Sequence, residues 1–162
     1  MIPAGAVIAQ SAIYDTILAS ADRDGPSSTI EFFHGYTYGG HPAAMAAGIA
    51  TLDVYRELDL FQRAADLAPY FENALHSLKG LPHVVDIRNY GLMGAVEVAP
   101  IPGLPTKRAT DVFDRCFEKG VFLRAAGSTI VMSPPLVMEK HHIDRLVNTL
   151  GEALVESAQA LK

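Results

Sequence analysis

Val84-Val85-Asp86-Ile87-Arg88 and Leu92-Met93-Gly94-Ala95-Val96-Glu97-Val98 are two short apolar runs separated by Asn89-Tyr90-Gly91, and their reading decides the fold. Runs rich in valine and isoleucine suit a pleated, half-buried surface, and a short asparagine and glycine turn between them predicts an antiparallel pair. Working outward toward the amino end, Leu60, Ala64, Leu67, Phe71, Leu75 and Leu78 recur at helical spacing. They predict an amphipathic helix over roughly 59–79, stopped by Gly80, a residue suited to the position after a helix. Toward the carboxyl end, Ala109, Val112, Phe113, Cys116 and Phe117 predict a helix that ends at Gly120. Val121 to Arg124 and Thr129 to Met132 predict short strands around Ala125-Ala126-Gly127-Ser128, and Ile143, Leu146, Val147, Leu150, Leu154, Ala158 and Leu161 form one stripe of a last helix. The order helix, strand, strand, helix, strand, strand, helix predicts an α+β sandwich, with helices laid on a mainly antiparallel sheet.

Residues 1–57 read differently. Ala4 to Gln10 is a short apolar run of the kind buried on both faces of a sheet, 11–19 reads as a short helix, and Asp22 to Ser28 has loop composition. Pro42 suits the first position of a helix, and from Ala43 to about Tyr55 small and apolar residues occur on nearly all sides, which predicts a buried helix. One strand and two helices cannot cover their own apolar surface. The chain therefore divides into an incomplete part, 1–57, and a compact domain, 58–162.

The composition narrows the function classes. At 162 residues, 49% hydrophobic and only 19% charged, the chain is long enough to bury a core and too apolar to be disordered. Its mean hydropathy, +0.18, points to surface meant for a partner. The net charge of −5 comes from 13 basic and 18 acidic residues scattered singly, so the basic stripe that nucleic-acid binding requires is missing. Pro42 to Ala50, the longest apolar or glycine run, is too short to span a bilayer, and the apolar start lacks the positive region of a signal peptide. The lone cysteine, Cys116, excludes an internal disulfide and a cysteine-based zinc site. A soluble cytoplasmic protein is expected.

Two segments are suited to chemistry. His34-Gly35-Tyr36-Thr37-Tyr38-Gly39-Gly40-His41-Pro42 is a glycine and hydroxyl loop running into a helix. Glycines let backbone N–H groups approach an anion, the Thr37 hydroxyl adds a donor, and the helix start favours negative charge. The same residues also suit an aromatic turn packed against the core, and both readings stand. Arg124, after Val121-Phe122-Leu123 and before small residues, is placed either to take a carboxylate in a bidentate fork or to sit as a surface arginine at a sheet margin. Arg88 and Arg115 have weaker cases. His34 and His41 are seven residues apart across a loop and His141 and His142 are adjacent, so neither pair has the spacing of a metal site. Glu97 and Glu139 form no evident acid and base pair, and Ser133 lies in a proline-flanked turn.

FFHGYTYGGHPAAMAAGIATLDVYRE (32–57), GLMGAVEV (91–98) and VFLRAAGSTIVMSPPLVM (121–138) together resemble the class III pyridoxal-phosphate aminotransferases, in their ω-amino-acid (β-alanine):pyruvate branch. The likeness runs from about Ile2 to the carboxyl terminus. It implies the carboxy-terminal part of the fold-type I pyridoxal-phosphate transferase architecture, an α/β fold. Residues 1–57 would be the last elements of the cofactor-binding large domain and 58–162 the small domain. The resemblance further implies that the enzyme moves an amino group from an ω-amino acid or amine to pyruvate through pyridoxal 5′-phosphate, as a homodimer. In that setting Thr37, and Tyr36 through its backbone, reach the cofactor phosphate of the other subunit, while Arg124 is the mobile residue that binds the substrate carboxylate. The Schiff-base lysine of the family has no counterpart here, because Lys79, Lys107, Lys119, Lys140 and Lys162 all stand in surface-like contexts. The implied glycine-rich phosphate segment, ring-stacking aromatic and pyridinium-holding aspartate also have no counterpart. The expectation is a carboxy-terminal portion that is inactive in isolation. The alternative is a non-catalytic dimerisation or interaction module, or a fragment that complements an amino-terminal half.

Overall fold

The computed structural model describes Ile2, residues 4–21 and residues 35–161. It divides into two compact units, Met1–Val54 and Tyr55–Lys162. At the centre of the second, Val84–Tyr90 (β1) pairs antiparallel with Met93–Val98 (β2), Ile87 opposite Val96 and Tyr90 opposite Met93. Asn89 and Tyr90 belong to β1, so the turn shrinks to Gly91 and Leu92. The preceding helix is Leu60–His76 (α3), followed by a tight turn to Gly80. Lys107–Glu118 (α4) ends before Gly120 as expected, and Lys140–Ala160 (α5) closes the chain.

The fourth and third strands differ from the sequence reading in one respect. Thr129–Met132 (β4) forms where predicted, but its partner is Arg124–Ala126 (β3), not Val121–Arg124. Arg124 therefore opens a strand instead of closing one. Pairing with β4 sets the boundary: Gly127, at φ 64°, turns the chain so tightly that Ala126 faces Thr129 and the ladder runs back only to Arg124 and Val131. A left-handed φ of this kind is cheap only for glycine. The sheet order is β1-β2-β4-β3, with every neighbouring pair antiparallel.

One face of the sheet is covered and the other is open. Gly94, Val96 and Val98 of β2 and Ile130 and Met132 of β4 are buried, together with Leu67, Phe71 and Leu75 of α3, Val112 and Cys116 of α4, and Ile143, Leu150 and Leu154 of α5. Each large side chain buried this way contributes about 1.5–3 kcal/mol. The stripes predicted for the three helices supply the faces that pack here, except that Phe117 of the α4 stripe is exposed. On the open face, direct pairing sets Arg88, Ala95, Val131 and Arg124 in a single row across all four strands. Arg88 bonds to Asp86 and Glu97 on that face.

The first unit contains Ser11–Ala21 (α1), as expected, and most of Pro42–Glu57 (α2), with Pro42 in the first helical position. Two expectations fail in it. Ala4 to Gln10 forms no strand, and Val7 and Ile8 are more than nine-tenths exposed. A strand of the doubly buried kind exists only by pairing with neighbours, and no described residue pairs with it. Nor is α2 buried: Ala44 is, while Met45, Ile49, Leu52 and Val54 are exposed. The expected loop 22–28, and Phe32, Phe33 and His34, lie outside the described residues.

Candidate functional site

In the second unit, Val121 and Leu123 are buried while Phe122 and Arg124 are exposed. This alternation is the mark of an extended segment with one face on the core. It sends the Arg124 side chain to the outside of an edge strand, beside a cavity of about 420 Å³. The cavity is walled by Leu123, Val131, Met132, Met138 and Leu146, with Ser133 adding a hydroxyl, and no acidic residue lines it. Most other arginines of this unit are engaged, although Arg145, like Arg124, has no hydrogen-bond or ion-pair partner among the described residues. Arg108, almost fully buried, donates to the carbonyls of Ala99 and Leu161, Arg115 bonds Asp111 at 2.8 Å, and Arg63 donates to the Met138 carbonyl. Arg124 has no hydrogen-bond or ion-pair partner among the described residues. An unengaged guanidinium above an apolar cavity has the chemistry to take a carboxylate with an apolar body.

In the first unit the Gly35–His41 segment makes a compact turn over Thr37 to Gly40. The Tyr36 carbonyl accepts from the Gly39 N–H at 2.8 Å and the Tyr38 carbonyl from the His41 N–H at 3.1 Å. Gly40, at φ 73°, holds a left-handed conformation, and a Cβ on Gly39 would sit 3.1 Å from the Tyr36 carbonyl oxygen. The turn delivers the chain into α2, whose first turn carries no acidic residue, and Thr37 is exposed. Tyr36 and Tyr38 are more than four-fifths exposed as well. Exposed tyrosines disfavour the reading as an aromatic turn packed on the core. A hydroxyl, glycines and a helix start free of negative charge suit a phosphate.

Other candidates have ordinary roles. Burial pushes the Cys116 thiol up to about 11, so it stays protonated and unreactive near neutral pH. Lys119 is held between Glu152 and Glu156 at 2.8 Å each, and these hydrogen bonds raise its ammonium above the usual range. A hollow of about 890 Å³ between the starts of α3 and α5 is larger than the Arg124 cavity but engages polar groups internally, Arg63 pairing with Glu139 at 3.9 Å and the Gln62 amide donating to Asp66. Among the described residues no group of three or more histidine, cysteine, aspartate or glutamate side chains could hold a metal, and no helix is long and apolar enough to cross a membrane. Sequence reasoning missed Arg108, because the carbonyls it ties lie 9 and 53 residues away. It also missed Phe122, which lines the Arg124 cavity. The alternation from Val121 to Arg124 is the signal that marks it.

The family model for "Aminotransferase class-III" matches residues 2–154. The chain is 52% identical over 153 residues to the omega-aminotransferase of Caulobacter vibrioides, covering 94% of this chain and 34% of that protein. It is 44% identical, with the same coverage, to the beta-alanine–pyruvate aminotransferase of Pseudomonas aeruginosa. Among solved structures, one described as "Transaminase with L-ala" superposes with a TM-score of 0.81 at 27% identity, over 93% of this chain and 36% of that one. A second, from directed evolution of transaminases by ancestral reconstruction, gives 0.80 at 30% identity, over 93% and 34%. The chain thus spans about a third of the length of the relatives it matches.

Proposed function

The chain belongs to the class III aminotransferases, and on that premise we propose that it serves the transfer of an amino group from an ω-amino acid or amine to pyruvate, supplying the contacts to the substrate carboxylate and to the cofactor phosphate. The unengaged Arg124 guanidinium at the apolar cavity carries this reading. Arg124 takes the substrate carboxylate in a bidentate fork, which fixes the donor's distance from the reacting centre. Because β3 is short and at the sheet edge, the side chain is free to move aside for a donor that has no carboxylate.

The residues of the Gly35–His41 turn fit pyridoxal 5′-phosphate. Thr37 donates its hydroxyl to a phosphate oxygen, Tyr36 contributes through its backbone, and the start of α2 adds favourable charge. When bound, that cofactor supplies the electron sink for chemistry at the amino-bearing carbon. The exposed apolar side chains of α2, Met45, Ile49 and Leu52, support a subunit contact through which this turn serves the partner of a homodimer. The chain alone does not transaminate in this reading. Lys79, Lys107 and Lys140 are exposed and Lys119 is held by two glutamates, so none of these is placed to be the Schiff-base lysine.

Two measurements test this. With pyridoxal 5′-phosphate, β-alanine and pyruvate, the isolated chain is expected to form no alanine, and turnover would refute its inactivity. A chimera carrying this chain in place of the matching third of the Caulobacter enzyme is expected to be active. Arg124→Ala in it should lower kcat/KM for β-alanine by about tenfold or more, as expected for a charge-assisted hydrogen bond, and should spare an amine donor without a carboxylate. Equal losses for both donors would remove Arg124 from the role.

A further inference from the structure

Phe122 is about three-quarters exposed, yet it is not loose. Its ring meets the edges of Phe113 and Phe117 of α4 at centroid distances of 6.0 and 6.1 Å, and those two rings stack on one another at 6.3 Å. Offset and edge-on contacts of this kind fix a ring's orientation. The alternation from Val121 to Leu123 puts Phe122 on the same side of the chain as Arg124, about 7 Å away along an extended backbone. Both residues line the same cavity, whose other walls include Leu123, Val131, Met132, Met138 and Leu146.

We propose that Phe122 is a specificity-determining residue of the Arg124 site, an aromatic wall that selects carboxylates bearing an aryl group over short ones. The occupant follows from complementarity. The cavity offers one positive charge and no negative one, so its ligand is an anion, and its braced ring and apolar lining complete a site for a flat apolar body. At about 420 Å³ the space accommodates an arene beside the carboxylate. This deepens the reading of Arg124 given above and rests on it.

The chain itself, with its methionine methyls labelled with carbon-13, provides the test, because Met132 and Met138 line the cavity and report occupancy by NMR. Phenylacetate and acetate are titrated separately. Phenylacetate is expected to bind more tightly, by roughly fivefold, the fold-change that an aromatic pair contributes. Phe122→Ala should abolish the difference by weakening phenylacetate. Phe122→Leu, which keeps apolar bulk and removes the ring, should do the same. Arg124→Ala should weaken both ligands. A phenylacetate preference that survives both Phe122 variants overturns the proposal and leaves the carboxylate role of Arg124 standing. Acetate binding that is indifferent to Arg124→Ala overturns the carboxylate role, and methyl signals unmoved by phenylacetate overturn the proposal directly.

Discussion

Gly94 illustrates how little space the second unit leaves at a single residue. It is buried in β2 against α3, and a Cβ built on it would lie 2.6 Å from Leu75 Cδ2 and 3.0 Å from two ring atoms of Phe71. Leu75 and Phe71 are themselves completely buried, so neither can swing into solvent to make room. Gly94→Ala is therefore expected to destabilise the fold by about 1–3 kcal/mol through overpacking. The entropy that alanine saves in a strand, roughly 0.5–1 kcal/mol, offsets part of that. The expected observation is a lower urea midpoint with an unchanged slope. An unchanged midpoint would mean that Phe71 and Leu75 yield at no cost. Arg124 and Arg108 differ instructively at this scale. Arg124 stands out in the sequence because it is the one cation in Val121-Phe122-Leu123-Arg124-Ala125-Ala126-Gly127, whereas nothing near Arg108 announces the carbonyls it will meet.

Between elements, α4 and α5 are joined by more than their apolar stripes. Arg115 bonds Asp111 at 2.8 Å and Glu156 at 3.4 Å, and Lys119 reaches Glu152 and Glu156. Hydrogen bonding from Lys119 draws the Glu156 carboxyl below its ordinary 4.5. Burial pushes Asp111 up from 3.8, but the Arg115 guanidinium together with Ser157 and Lys107 outweighs it and leaves the carboxyl lowered. A carboxyl lowered in the folded state adds stability that is fully present above its unfolded pKa and is lost as pH falls through the folded one. Lys119, being raised from 10.5, adds stability that is present below that value and is lost only as pH rises through the folded one. The melting temperature should therefore hold this contribution between about pH 5 and 9 and lose it below about pH 4. Glu156→Gln should flatten the acid limb, and an acid limb of unchanged steepness would refute the assignment. The contribution is modest, since these side chains are partly exposed. The helices themselves are legible because their stripes repeat at a period set by the element, as Ile143 to Leu154 do along α5. The start of β3 and the fate of Ala4 to Gln10 are not legible in this way. A strand's limits depend on the partner it pairs with, and that partner is set by long-range topology rather than by local spacing.

Across the whole molecule, the mean hydropathy of +0.18 is shared unevenly between the two units. The hydrophobic cluster is built entirely from residues between Leu67 and Leu154, with side chains such as Ala64, Tyr70 and Leu81 packed against it. Ala44 is the one core residue of the described part of the first unit, where Val7, Ile8, Ile13, Met45, Ile49 and Leu52 are exposed. Apolar surface removed from water is the dominant favourable term in folding, so the free energy of unfolding resides in residues 55–162. Even the amino-terminal boundary of that unit is closed locally, Tyr55 and Phe61 meeting edge-on at 5.3 Å. Produced alone, residues 55–162 are expected to unfold cooperatively, with a melting temperature within about 2 °C of the whole chain and a retained phenylacetate response at Met132 and Met138. The complementary hydrogen-exchange measurement on the whole chain should find strong protection in α3, β2 and α5 and weak protection in residues 4–10, whose N–H groups donate to no backbone carbonyl among the described residues. A truncated protein that melts markedly lower, or not at all, would show that the apolar first unit stabilises the second, and its exposed side chains would then have to be counted as part of the core.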